Sequence, residues 1–153
     1  MGSRLVASGL SAAQCRAALE KDWAAVPHLV GLNNHEGSAA SADRALMDVV
    51  AGFLKERHAF FLDSVTTPKS AIPAAAQAAG VPWARRRVFL DNDESPAAVA
   101  AQYRAAIALA KRNGSCIAIG HPHPATLTVL EQLAPEAAAD GVTLVTVGAL
   151  VHP

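Results

Sequence analysis

Four short segments of the sequence carry residues that can do chemistry: Asn33-Asn34-His35-Glu36-Gly37-Ser38, Asp63-Ser64, Asp91-Asn92-Asp93 and Gly120-His121-Pro122-His123-Pro124. An imidazole can pass protons at neutral pH or ligate a metal, and a carboxylate can orient that imidazole or bind a hydroxylated substrate. His35 is open to three roles: metal ligand, general acid or base, or a loop residue hydrogen-bonded by Asn33 and Asn34. Asp63 and Asp91 are open to orienting a histidine, to binding substrate, or to capping the turn after a strand, and Asp93 reads as such a cap. Pro122 and Pro124 hold their loop extended, so His121 and His123 are expected to point to opposite sides. His121 is then the group placed to transfer a proton, with His123 at the rim. Arg85-Arg86-Arg87 reads as a solvated edge ahead of a strand, and Cys15 and Cys116, in no CxxC pair, are assigned no function.

The elements that must position these residues are written in the apolar spacing. Ser11 and Gln14 make a capping box that opens a helix to about Val26, and Leu29–Leu32 reads as a strand. Helical spacing returns from Asp43 to Arg57 through Leu46, Val49, Val50, Phe53 and Leu54. A strand over Ala59–Leu62, a helix over Ser70–Ala79 closed by Gly80, and a strand over Val88–Leu90 follow. Ser95-Pro96 starts a long helix that runs to about Arg112 and stops at Asn113-Gly114. Cys116–Ile119 is the fourth predicted strand. Pro124 opens a helix with Leu127, Leu130 and Leu133 on one face, kinked or ended near Pro135, and Val142–Val147 is the fifth predicted strand.

Strands alternating with helices of this length pair in parallel, so the predicted class is α/β. All four polar segments follow strands, whereas the opposite loops hold His28, His58, Gly80-Val81-Pro82 and Asp140-Gly141, which read as ordinary turns. Ligands meet such folds at the carboxyl ends of the strands, which makes the polar end the expected ligand face.

Composition narrows the partners. A chain of 153 residues, 52% hydrophobic and 17% charged, has the size and balance of one globular unit. Thirteen Lys and Arg balance thirteen Asp and Glu, so no net field favours nucleic acid or an anionic membrane. The longest apolar runs, including Val142–Val147, are far short of the roughly 20 residues that a membrane helix needs. Met1–Leu5 shows no basic segment followed by an apolar core, and the chain is expected to be cytoplasmic as written.

Taken in order, Val30-Gly31-Leu32-Asn33-Asn34-His35-Glu36-Gly37-Ser38, Phe60-Phe61-Leu62-Asp63-Ser64, Arg87-Val88-Phe89-Leu90-Asp91-Asn92 and Ala118-Ile119-Gly120-His121-Pro122 resemble the divergent polysaccharide deacetylase family. The resemblance covers about Leu5 to Leu150. It implies a deformed (β/α) barrel related to carbohydrate esterases that use a divalent metal, Zn2+, to remove acetyl groups from N-acetylated sugars. On that template His35 is a metal ligand and His121 the acid that protonates the leaving amine. Asp63 and Asp91 orient groups or help to hold the site, and Asn33, Asn34, Ser64, Asn92 and His123 bind substrate.

Members of that family also carry, ahead of the matched region, a strand ending in paired aspartates and a further strand ending in a histidine segment. This chain starts at Met1-Gly2-Ser3 with neither, and it has Glu36 and His123 where apolar and aromatic residues are usual. The expectation is a single domain over residues 1–153 that lacks the N-terminal strands, an incomplete barrel of about five parallel strands. Impaired catalysis by the chain alone follows, as does either self-association through an open sheet edge or marginal stability. The alternative is a non-catalytic carbohydrate-binding or interaction remnant of the same fold. Longer relatives are expected to include exported proteins.

Overall fold

The computed structural model describes residues 8–152. The Met1–Leu5 segment, read above for a leader and for the missing strands, lies outside them. The chain divides into two compact units, Met1–Arg85 with Val151–Pro153, and Arg86–Leu150.

The first unit holds α1 (Ala12–Ala25), β1 (Gly31–Asn33), α2 (Ser38–Ala42), α3 (Arg44–Glu56), β2 (Phe60–Asp63), α4 (Ile72–Ala79) and β3 (Trp83–Arg85). Its sheet has the order β1-β2-β3 with both pairings parallel. Local signals set the helix ends as expected. Ser11 and Gln14 form the capping box of α1, Asp43 accepts from Ala45 N and Leu46 N at the start of α3, and Gly80 closes α4 in the left-handed region. α3 supplies the centre of the core: Leu46, Met47, Val50, Phe53 and Leu54 recur at helical spacing and are buried. Phe53 meets the edge of Trp23 from α1 and lies under the Arg57 guanidinium, 3.6 Å from the ring centroid. Gly31 is required by close approach, since a Cβ there would stand 2.5 Å from the Phe60 ring.

Two elements differ from expectation in this unit. α2 is a five-residue helix within the stretch read as loop, too short to show a period. β3 falls on Trp83-Ala84-Arg85, where the basic run obscured a three-residue strand whose Trp83 also bridges His152 antiparallel.

The second unit holds β4 (Val88–Phe89), α5 (Pro96–Asn113), β5 (Ala118–Ile119), α6 (Pro124–Ala139) and a 3-10 turn over Val147–Leu150. β4 and β5 pair in parallel, with Val88 opposite Ala118 and Phe89 opposite Ile119. Ser95 caps α5 by accepting from Ala98 N, with Pro96 in its first turn. Val88, Leu90, Tyr103, Ile107 and Ala137 form a buried cluster in it, and Val99 and Val129 are buried as well.

One prediction fails in this unit, and the helix expected to kink or end near Pro135 does not end there. α6 runs through Pro135 to Ala139, held past the proline by the buried Ala137 and by the two-pronged Arg104–Glu136 pair at 2.9 and 2.8 Å. No strand forms over Val142–Val147. Val142 N donates to Ala137 O at the end of α6 and not to a strand neighbour, while Leu144 and Val145 remain exposed. The fold is nevertheless α/β with parallel strands, five of them, and no closed barrel forms among the described residues. No helix of the described residues is long and apolar enough to cross a membrane.

Two stability measurements check this packing. Phe53→Ala is expected to cost about 3–5 kcal/mol in urea unfolding, because it opens a cavity under two aromatic-type contacts. The Tyr103 hydroxyl is buried without a partner among the described residues. Tyr103→Phe is therefore expected to match or exceed the wild type, by up to about 1 kcal/mol. A loss instead would reveal a bridging water.

Candidate functional site

In the first unit, parallel pairing puts the carboxyl ends of β1, β2 and β3 on one side, which places Asn33, Asp63 and Arg85 at corresponding ends. The loops that follow are stapled by amide groups. Asn34 Oδ1 accepts from Ser64 N at 2.7 Å, and its Nδ2 donates to Ser41 Oγ at 3.0 Å and Thr66 Oγ1 at 3.2 Å. Asn33 Nδ2 donates to Ser64 Oγ at 3.1 Å. The two asparagines and Ser64, expected to bind substrate, thus hold the β1 and β2 loops to each other. His35 is exposed on the first of these loops, just before Glu36 and Gly37, both at positive φ.

Asp63 is fully buried. Period-two alternation puts it on the same sheet face as Phe61, a core residue, and its register partner is Arg85. Its Oδ1 accepts from Val65 N at 2.8 Å and its Oδ2 from Arg85 Nε at 3.1 Å. Arg85, read as solvated edge, is therefore one prong of a half-exposed ion pair that neutralises a buried carboxylate.

In the second unit, Asp91 follows β4, and its side chain is also buried. Three donors converge on it: His121 N at 2.6 Å and Thr126 Oγ1 at 3.0 Å on Oδ2, and the His121 ring, with Nδ1 3.2 Å from Oδ1. Burial alone would raise its pKa, but the backbone bond from His121, then Thr126, then the ring of His121 together hold the carboxyl below the usual carboxylate range. Gly120 makes this approach possible, because a Cβ there would lie 3.2 Å from Asp91 Oδ2. With a carboxylate facing Nδ1, the favoured tautomer carries its proton on that nitrogen, and Nε2 is the atom on the opposite side of the ring. The Phe89 ring packs edge-on to His121 at 5.4 Å between centroids.

The expectation that only one histidine faces this site is corrected. The rings of His121 and His123 are 5.3 Å apart, since residues two apart in an extended chain project to the same side. His123 Nε2 also lies 3.5 Å from Glu94 Oε1, and Asn92 is exposed beside Asp91. Among the described residues, Asp91, His121 and His123 each offer a ligand atom, and these atoms all lie within 4.8 Å of one another. His35 is not in that group. Sequence reading missed Thr126, Arg85, Glu94 and Phe89. Thr126 carried a usable signal, a hydroxyl one turn before Leu130 on the face that α6 buries, where a polar group requires a partner.

The family model of the divergent polysaccharide deacetylases matches residues 1–151. The uncharacterized protein YibQ of Escherichia coli is 44% identical over 127 residues, which is 83% of this chain and 40% of YibQ. An uncharacterized protein of Haemophilus influenzae is 45% identical over 123 residues, 80% of this chain and 44% of that protein. The chain thus spans about two fifths of the length of the curated relatives it matches. The crystal structure of an uncharacterized protein from Agrobacterium tumefaciens superimposes with a TM-score of 0.94 at 23% identity, covering 98% of this chain and 61% of that one. That likeness establishes the fold, and the sequence match establishes descent: the chain belongs to the divergent polysaccharide deacetylase family.

Proposed function

We propose that the chain carries the proton-transfer half of a deacetylase that hydrolyses N-acetyl groups on a carbohydrate. The observation that supports this reading most is the buried, depressed-pKa Asp91 holding Nδ1 of a half-exposed His121. In amide hydrolysis the amine leaves only once it is protonated, and an imidazole fixed in one tautomer by a carboxylate is suited to deliver that proton from its far nitrogen. Asp91 acts by orientation and charge, with Thr126 and the backbone of His121 keeping it ionised. Within the second unit, Asn92 and His123 flank the Asp91–His121 pair and would meet hydroxyls of a sugar bound there; within the first unit, Asn33, Asn34 and Ser64 hold the β1 and β2 loops in place.

The divalent metal implied by the family would polarise the acetamide carbonyl and lower the pKa of a bound water. His35, an exposed imidazole, supplies one ligand of a kind zinc accepts. A single imidazole does not make a zinc centre, however, and among the described residues His35 joins no group of three ligands. Asp63, placed above among the catalytic carboxylates, fits a supporting role better, because both of its oxygens serve Val65 and Arg85. The single-domain organisation over residues 1–153 belongs to the same proposal, supported by a family match that runs through both units. Self-association through β1, an edge of its sheet, belongs there too.

Acetate release from N-acetylated oligosaccharides checks the reading. His121→Ala is expected to lower kcat by about 100-fold or more. Thr126→Val, which acts only through Asp91, is expected to lower kcat with KM little changed. Retention on an N-acetylglucosamine matrix without acetate release from any such substrate would favour the second reading, a binding module. The exposed Asn33 at the end of β1 is the observation that favours it.

A further inference from the structure

We infer that Asp91, His121 and His123 form a transition-metal site of their own within the second unit, separate from any metal held by His35. Two imidazoles and a carboxylate are the donor set of three-ligand zinc centres, in which water or a further ligand takes the fourth position. Tetrahedral coordination at about 2.0–2.1 Å requires ligand atoms about 3.3 Å apart. His121 Nδ1 and Asp91 Oδ1 already stand at 3.2 Å, and all three ligand atoms lie within 4.8 Å. Closing the remaining gap asks for a small rotation of His123.

The surroundings favour that closure. Asp91 Oδ2 is held by His121 N and Thr126 Oγ1, which leaves Oδ1 as the oxygen directed at the imidazole and fixes the carboxylate as outer hydrogen bonds fix metal ligands. Pro122 and Pro124 hold the segment between the histidines extended, and His123 makes no side-chain cap at the start of α6, so its ring is not committed there. Glu94 Oε1, 3.5 Å from His123 Nε2, can orient that ring from behind or add a fourth ligand. Both histidines are half-buried and therefore reachable by an ion from solvent. Binding replaces the proton that faces Asp91 on the His121 ring, and that proton leaves to solvent. One consequence rests on the proposed role of His121: a metal on Nδ1 prevents the imidazolium from forming and leaves Nε2–H a much weaker acid, so a site of this kind slows the deacetylase.

Isothermal titration calorimetry of the full metal-free chain with Zn2+ alone tests the site without reference to turnover, beside Co2+ titration followed by visible absorption. The expected result is one equivalent bound by the wild type and equally by His35→Ala. His123→Phe and His123→Gln, at a half-exposed loop position, are expected to weaken binding by about 100-fold or more. Imidazole nitrogen shifts of both His121 and His123 should move on zinc addition. No binding by the wild type, binding lost in His35→Ala, or unchanged binding in both His123 variants would each overturn the site. A deacetylase assay that fails while zinc binding persists would remove the proposed activity and leave the metal site standing.

Discussion

A carboxylate removed from water must be met by donors or give up its charge, and the second unit is organised around how Asp91 meets that requirement. Its donors are a backbone N–H, a hydroxyl and an imidazole. Each donor constrains a different element. The bond from His121 N draws the chain after β5 against the end of β4, and Thr126 fixes the first turn of α6 to the same carboxylate. The contact with Nδ1 then decides which face of the His121 ring is presented. Gly120 eases this approach, because a Cβ there would press on Leu90 and on the Asp91 carboxylate, each at 3.2 Å. A hydrogen-bonded charge of this sort contributes more than a neutral pair, and leaving it unmet would cost more still.

The other buried aspartate shows a different solution to the same problem. Asp63 lies on the core face of its strand and is neutralised by Arg85 from the neighbouring parallel strand, with its second oxygen closing the turn at Val65. That turn holds Val65 at a φ of 54°, a conformation that a β-branched residue adopts only when its surroundings compel it. The compulsion is visible in Asp63 on one side of the turn and in Asn34 bonding the neighbouring Ser64 N on the other. Two aspartates at equivalent strand ends therefore do unlike things. One is an anchor for a strained loop, and the other is an acceptor aimed at a titratable ring.

Legibility in the sequence followed the range of the physics. Signals that act within four residues were readable: the Ser11–Gln14 capping box, the Ser95-Pro96 helix start and the Gly80 stop all stand where spacing put them. The amphipathic stripe of α3 was readable for the same reason. β3 was not, because three residues cannot show a period and two of the segment's neighbours are arginines. The apolar run at Val142–Val147 misled in the opposite direction. Alternating apolar residues become a strand only if a neighbour takes up their backbone groups, and Val142 gives its N–H to the end of α6. In the site, the resemblance located the strand-end aspartates and histidines, but the partner of each is 22 to 35 residues away and only the folded chain discloses it.

The pair His121 and His123 carries the strongest lesson in geometry. Two prolines that keep a loop extended do not separate the side chains on either side of the first proline; they align them, because the pleat of an extended chain repeats every two residues. Once aligned, the two rings share one carboxylate, and the site becomes capable of two kinds of chemistry that exclude each other. With a proton on Nδ1 of His121, the Asp91–His121 pair is a proton-transfer device. With a metal in place of that proton, the same atoms become ligands, the imidazolium cannot form, and Nε2–H is left a much weaker acid. The choice between them turns on His123, since without the second imidazole the remaining aspartate and histidine give too few ligands to hold zinc against water.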